Sequence, residues 1–244
     1  MGVKMEIKPS DIKWLRKHYT GLRVRNDNAV VGILRYRARK IGPLRVNIFH
    51  GPPSDEERNE RFYIEDKYAI DLSFDGGGLP HVKETGGRLK RRAQEIADGD
   101  LPTVHVFPKS EELCLGSNLS VRLRMRKIDT LEDFFDELLI PYFYYHSYWE
   151  KHGHEPWPGR SHGCDVAVHL EDMYRHRKFL DSEIANEAIR FLLEQGAPPH
   201  IFDNEKMGPN AKCFCGSRRK VKDCHPEARE GFNILRKWAR LKQH

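Results

Sequence analysis

HVFPKSEELCLGSN (residues 105–118) stands where the chain changes character, from β-rich runs before it to helical periodicity after it. Its one cysteine, Cys114, sits between Leu113 and Leu115, just ahead of Gly116. A lone cysteine between apolar neighbours ordinarily reads as a small buried hydrophobe. On an extended flap the same thiol is accessible, and an accessible thiol beside positive or donor groups is a nucleophile. The choice turns on whether this stretch closes a strand core or leaves the sheet, and so on the elements around it.

Upstream, SDIKWLRKHY (residues 10–19) predicts an opening helix capped by Ser10 or Asp11, with Ile12, Leu15 and Tyr19 on one face. Four β-rich runs follow: AVVGILRYRA, PLRVNIF, KYAIDLSF and TVHVF. Alternation in the third places Tyr68, Ile70, Leu72 and Phe74 on one side and Ala69, Asp71 and Ser73 on the other. The charged segment between the third and fourth runs holds GGRLKRRAQEIADGD, room for a short helix. Downstream, Asp129 and Glu132 form a capping-box pattern, and Leu131, Phe134, Phe135, Leu138 and Leu139 make an apolar helix face. Pro141 is expected to bend or end that helix. The aromatic run from Tyr142 to Trp157 reads as core, and DSEIANEAIRFLLEQG (residues 181–196) as a helix capped by Asp181 or Ser182 and stopped by Gly196.

With 39% hydrophobic and 32% charged residues in 244, the composition is that of a globular protein with a real core. No apolar run approaches the roughly 18 residues that span a bilayer, and MGVKMEIKPSDIKW has no apolar leader segment, so a cytoplasmic location is expected. The net charge of +6 invites a nucleic-acid reading. From Lys206 to His244, however, eleven Lys and Arg face three Asp and Glu, a net +8 that leaves −2 for the other 205 residues. Any nucleic-acid contact is thereby confined to a weak one through the basic tail.

Three of the five cysteines crowd the same tail, PNAKCFCGSRRKVKDCHP (residues 209–226). Cys213, Cys215, Cys224 and His225, spaced C-x-C-x8-C-H, supply three thiolates and one imidazole, a complete tetrahedral set for zinc, with Gly216 allowing a sharp turn. Four protein ligands leave no open position, so the Zn2+ would be structural and would supply folding energy to a module too small for its own core. This segment closely resembles the SEC-C motif, the zinc module at the end of a bacterial preprotein translocase ATPase. That resemblance implies docking to proteins or ribosomes. Arg218, Arg219, Lys220 and Lys222 around it read as a solvated surface, and FNILRKWARLKQH as a helix packing back on the knuckle.

The order of helix, four-strand antiparallel meander, cysteine on a flap, then helices resembles the E2 ubiquitin-conjugating fold, an α+β class, over residues 10 to 165. HVFPKSEELCL is similar to the E2 active-site approach, with His105 nine residues before Cys114. YYHSYWEKHGHEPWPGRSHG is similar to the WPG-x-x-H ending of bacterial stand-alone E2-like proteins, of the type found in CBASS antiphage operons beside cGAS-like nucleotidyltransferases. The resemblance implies a thioester between Cys114 and the C-terminal glycine of a protein cargo, such as that synthase, and transfer to a lysine. The chain has no ATP-binding domain, so on this resemblance activation comes from a separate E1-like partner or by another route. The His-Pro-Asn triplet of eukaryotic E2 enzymes is replaced by His105-Val106-Phe107; Asn118 and His162 are the local substitutes for its asparagine. On this reading residues 1–175 form the E2-like domain, 176–205 a helical connector and 206–244 the zinc module, while Cys164 is structural. Two other readings stay open. One is a non-catalytic E2-like adaptor; the other is a Cys-His deconjugating hydrolase using His105 or His162, which wants a third residue to orient its histidine.

Overall fold

Tyr68, Ile70, Leu72 and Phe74 are all buried, as their alternation requires, and the strand that carries them organises the sheet. The structure is a computed structural model, described here for residues 5–42, 45–75, 79–157, 165–175, 177, 180, 182–194, 208–213, 215 and 217–240. In chain order the elements are α1 (Pro9–His18), β1 (Leu22–Asn26), β2 (Ala29–Gly42), β3 (Arg45–Ile48), α2 (Asp55–Asn59), β4 (Tyr63–Phe74), β5 (Pro80–Glu84) and α3 (Arg88–Ala97). After a 3-10 turn (Leu101–Val104) come α4 (Asn118–Met125), α5 (Leu131–Phe134), a π-helical turn (Phe135–Leu139) and α6 (Ile140–His152). Then follow α7 (Asp165–Arg175), α8 (Ser182–Glu194), α9 (Val221–Cys224) and α10 (Pro226–Arg240).

The chain divides into two compact units, Met1–Leu115 with Arg124–Gly159, and Gly116–Leu123 with Arg160–His244. The boundaries expected at 175 and 205 both fall inside the second unit.

In the first unit a five-stranded antiparallel sheet runs β1-β2-β4-β5, with the short β3 pairing the far end of β2. The path is not the simple meander expected, because β3 stays beside β2 and the chain crosses to set β4 on the other edge of β2, and its members differ as well. LRVRN and PHVKE are strands, whereas TVHVF is not. Pro102 opens a 3-10 turn there, the Thr103 hydroxyl donates to Asp100 at 2.7 Å, and His105 takes a left-handed φ of 54° that stops an extended run. At the β1–β2 crossing, a Cβ on Gly32 would lie 2.2 Å from the Gly21 carbonyl oxygen, so only glycine fits. Leu34, Tyr36 and Ala38 of β2 point inward while Arg35, Arg37 and Arg39 take the other face.

The continuous helical run of α5, the π turn and α6 closes that core with Phe134, Phe135, Leu138, Leu139, Phe143, Tyr144 and Tyr148, each fully or almost fully buried. Burial of such side chains stabilises by about 1.5–3 kcal/mol apiece. Tyr68 stacks on Phe143 at 4.2 Å, and the hydroxyls of Tyr36 and Tyr68 meet Ser147 Oγ at 2.8 and 3.0 Å. The capping box lies one residue later than expected, with Thr130 Oγ1 accepting the Asp133 N–H at 3.1 Å. Pro141 neither ends nor breaks the helix. Its missing N–H falls at the π turn, and Arg124 donates instead to the freed Glu137 carbonyl at 3.0 Å.

The second unit has its own core, formed by Leu123, Ala167, Leu170, Met173, Ile184, Ala188, Leu192, Ala228, Phe232 and Leu235. The α8 helix starts at Ser182 as expected; Asp181 and Gly196, its predicted cap and stop, lie outside the described residues. α7 was not anticipated. It packs along α10 so closely that a Cβ on Gly231 would lie 1.8 Å from the Leu170 carbonyl oxygen. Among the described residues no helix is long and apolar enough to cross a membrane.

Candidate functional site

HVFPKSEELC leaves the sheet as a narrow hairpin. Val106 bridges Leu113, the Phe107 N–H donates to the Glu112 carbonyl at 2.8 Å, and the Glu111 N–H turns back to Phe107 at 2.8 Å. The returning limb joins β5: Lys83 bridges Glu112, and the Leu113 N–H donates to the Val82 carbonyl at 2.7 Å. Leu113 is thus buried against the sheet and Phe107 is left exposed at the hairpin. Cys114 is neither sealed in the core nor fully exposed. Its N–H donates to the His105 carbonyl at 2.7 Å, which sets the two residues opposite each other at the base of the hairpin.

Behind this pair stands one face of α6. The Tyr142 hydroxyl donates to the carbonyls of Val104 and His105 at 3.0 and 3.1 Å, so the His105 carbonyl is held by both Tyr142 and Cys114. Burial pushes the Tyr142 phenol well above its ordinary range, and a charge on Cys114 would push it further the same way. The imidazole of His146, one helical turn on, lies 4.7 Å from the Tyr142 ring and 6.1 Å from that of His105. His146 is buried, and among the described residues neither ring nitrogen has a hydrogen-bond partner. The signal available in the sequence was a histidine within the aromatic-rich stretch YFYYHSYW, at i+4 from Tyr142.

The other expected members of this site fall wholly or partly outside the described residues. Asn118 is the first residue of α4, and its side chain lies outside the described residues. His162 and Cys164 lie outside them as well.

In the tail, Lys212 bridges Lys220 and the Cys213 N–H donates to the Arg219 carbonyl at 2.9 Å, forming a knuckle. The single turn of α9 then returns Cys224 and His225 beneath it. The ligand atoms of Cys213, Cys215, Cys224 and His225 all lie within 4.8 Å of one another. Cys213 Sγ is 3.1 Å from His225 Nδ1 and Cys215 Sγ is 3.5 Å from Cys224 Sγ. Ligands about 2.3 Å from a tetrahedral ion are about 3.8 Å apart, so the donor set fits a metal such as zinc. Gly216, read as the turn residue, lies outside the described residues. Burial pushes the Cys213 thiol up to about 12, while hydrogen bonding from Ser217 draws Cys215 down to about 6.

No protein-family model, curated protein or solved structure matches this chain.

Proposed function

We propose that the chain is an E2-like conjugating enzyme of a bacterial antiphage system. In this reading Cys114 carries the C-terminal glycine of a protein, such as a cGAS-like nucleotidyltransferase, and passes it to a lysine. The observation that supports it best is the partly exposed Cys114 hydrogen-bonded to the His105 backbone on a hairpin that leaves an antiparallel sheet. Cys114 loses its proton to a neighbouring base, and the thiolate attacks a carboxyl activated by an E1-like partner. A carbon–sulfur bond forms and the activating group leaves. A lysine amine then attacks the same carbonyl, forming the amide and releasing the thiolate. Cys213, Cys215, Cys224 and His225 would hold a structural Zn2+ that stabilises the tail and takes no part in transfer.

The test is intact mass under non-reducing conditions after incubating the purified chain with ATP, an E1-like protein and a glycine-ended cargo. A mass gain that thiol reagents remove, and that Cys114→Ala abolishes, is the expected result. Cys114→Ser should trap a slower oxyester. No gain on any variant overturns the reading in favour of an adaptor, which the absence of asparagine after His105 would suit. Removal of cargo from a preformed conjugate would instead identify a hydrolase.

A further inference from the structure

The unpartnered imidazole behind the Cys114 hairpin has no role in packing that requires its nitrogens. A buried polar group without a partner is destabilising, and an isosteric apolar side chain would fill the same space without that cost. His146 is 3% exposed and has two such atoms. We propose that His146 is a positioning residue of the Cys114 site, holding the His105 imidazole in the orientation and tautomer that accept the proton from Cys114 Sγ. The inference rests on the reading of Cys114 as an acyl carrier, and it supplies the third residue that a Cys-His pair needs to orient its histidine.

The surroundings narrow what His146 can do. α3 presents Arg88 and Arg92, α6 presents Tyr142 and Tyr145, and the hairpin presents His105. Glu84 of β5 and Tyr68 of β4 act on Tyr142 from the sheet side. Arg88 is engaged by Asp66 and Glu150, Arg92 lies over Trp149, and the Tyr142 hydroxyl is donated to backbone carbonyls. Burial, then His105, Arg92 and Arg88, drives the His146 imidazole well below its ordinary range, so it stays neutral. A neutral imidazole keeps one acceptor nitrogen. The proton leaving Cys114 Sγ goes to one His105 nitrogen, and the N–H on the other is then available for donation to His146. The two rings stand edge to face at 6.1 Å, and such contacts commonly tighten only in the reacting complex.

The thiolate fraction of Cys114 reports this directly. In the full-length chain, the rate of Cys114 alkylation by iodoacetamide is followed from pH 5 to 10 by peptide mass. His146→Leu should move the inflection upward by about one unit, an approximately 10-fold slower reaction at pH 7, with His146→Gln partly restoring it. In a His105→Gln background, His146→Gln should cause no further shift. An unchanged profile in His146→Leu, even with lowered melting temperature, overturns the proposal in favour of a packing role. Should the leucine variant not fold, an additive shift of His146→Gln on His105→Gln overturns it instead. The readout needs no cargo. A shifted profile in a protein that never acquires an acyl group would leave His146 in place and discard the conjugating reading alone.

Discussion

A histidine sealed from water titrates differently in the folded and the unfolded chain. Unfolded, His146 takes up a proton near pH 6.5, while its folded pKa is driven lower, first by burial. Stability from this group is therefore present above pH 6.5 and lost as pH falls below it, at about 1.4 kcal/mol per pH unit until the folded form also protonates. In urea titrations from pH 7.5 to 5, His146→Leu should flatten that acid loss; an equal loss in both proteins would contradict it. Asp136 works the other way. Burial, then Glu132, Asp133 and Glu137, pushes its carboxyl up to about 6, and Oδ1 has no hydrogen-bond partner among the described residues. The folded state binds this proton more tightly than the unfolded one. At pH 7 the ionised group is a burden, relieved as pH falls from 6 toward 4. Asp136→Asn should raise stability at pH 7 by roughly 1 kcal/mol after allowing for solvent screening, and the gain should vanish near pH 4. No pH dependence in the difference would rule this out. Neither residue was legible from its neighbours. His146 sits in a run that reads as core whichever way it faces, whereas the tail ligands declare themselves because two pairs of close donors are useless to a core and suited to a metal.

At the scale of elements, legibility followed periodicity. KYAIDLSF alternates strictly and is a strand with the predicted inner face. TVHVF has the composition of a strand but too little length to assert it, and Pro102 with a left-handed His105 turns it into a 3-10 segment. The return limb of the hairpin pairs with β5 through a backbone bridge and a backbone hydrogen bond, which no side-chain pattern advertises. α7 went unread because its signal depends on α10, more than fifty residues away. The crossing of these two helices rests on Gly231, where a methyl group would meet the Leu170 carbonyl oxygen at 1.8 Å. Backbone on both sides cannot yield as a flexible side chain does. Gly231→Ala should therefore cost about 2 kcal/mol or more in the second unit despite alanine's higher helix propensity. Circular dichroism melts would show a lowered transition for that unit; a variant at least as stable as the parent would mean that the helices part at no cost.

For the whole molecule, the chain alternates between its two units, with 116–123 belonging to the second and 124–159 to the first. Charge and cysteine clustering drew the eye to the last forty residues as an appendage. The apolar residues tell more. Ala228, Phe232 and Leu235 of the tail share one core with Leu170 and Met173 of α7, Ile184 and Leu192 of α8, and Leu123 of α4. A chain ending at Gly196 keeps α7 and α8 but loses α10, and would expose several large apolar side chains at about 1.5–3 kcal/mol each. That truncation should be aggregation-prone rather than a soluble domain. Removing the metal from the full chain with a chelator is a milder perturbation of the same unit. A metal held by Cys213, Cys215, Cys224 and His225 would tie the four ligands together, and α10 begins one residue after His225, so loss of such an ion should loosen α9 and α10 first. Hydrogen exchange should then rise across residues 208–240 and along α7, while the buried strands β2 and β4 keep their protection. Equal deprotection of β2 and β4 would show that the two units fold as one cooperative system. A soluble, cooperatively melting chain ending at Gly196 would show that α10 is dispensable to the core it joins.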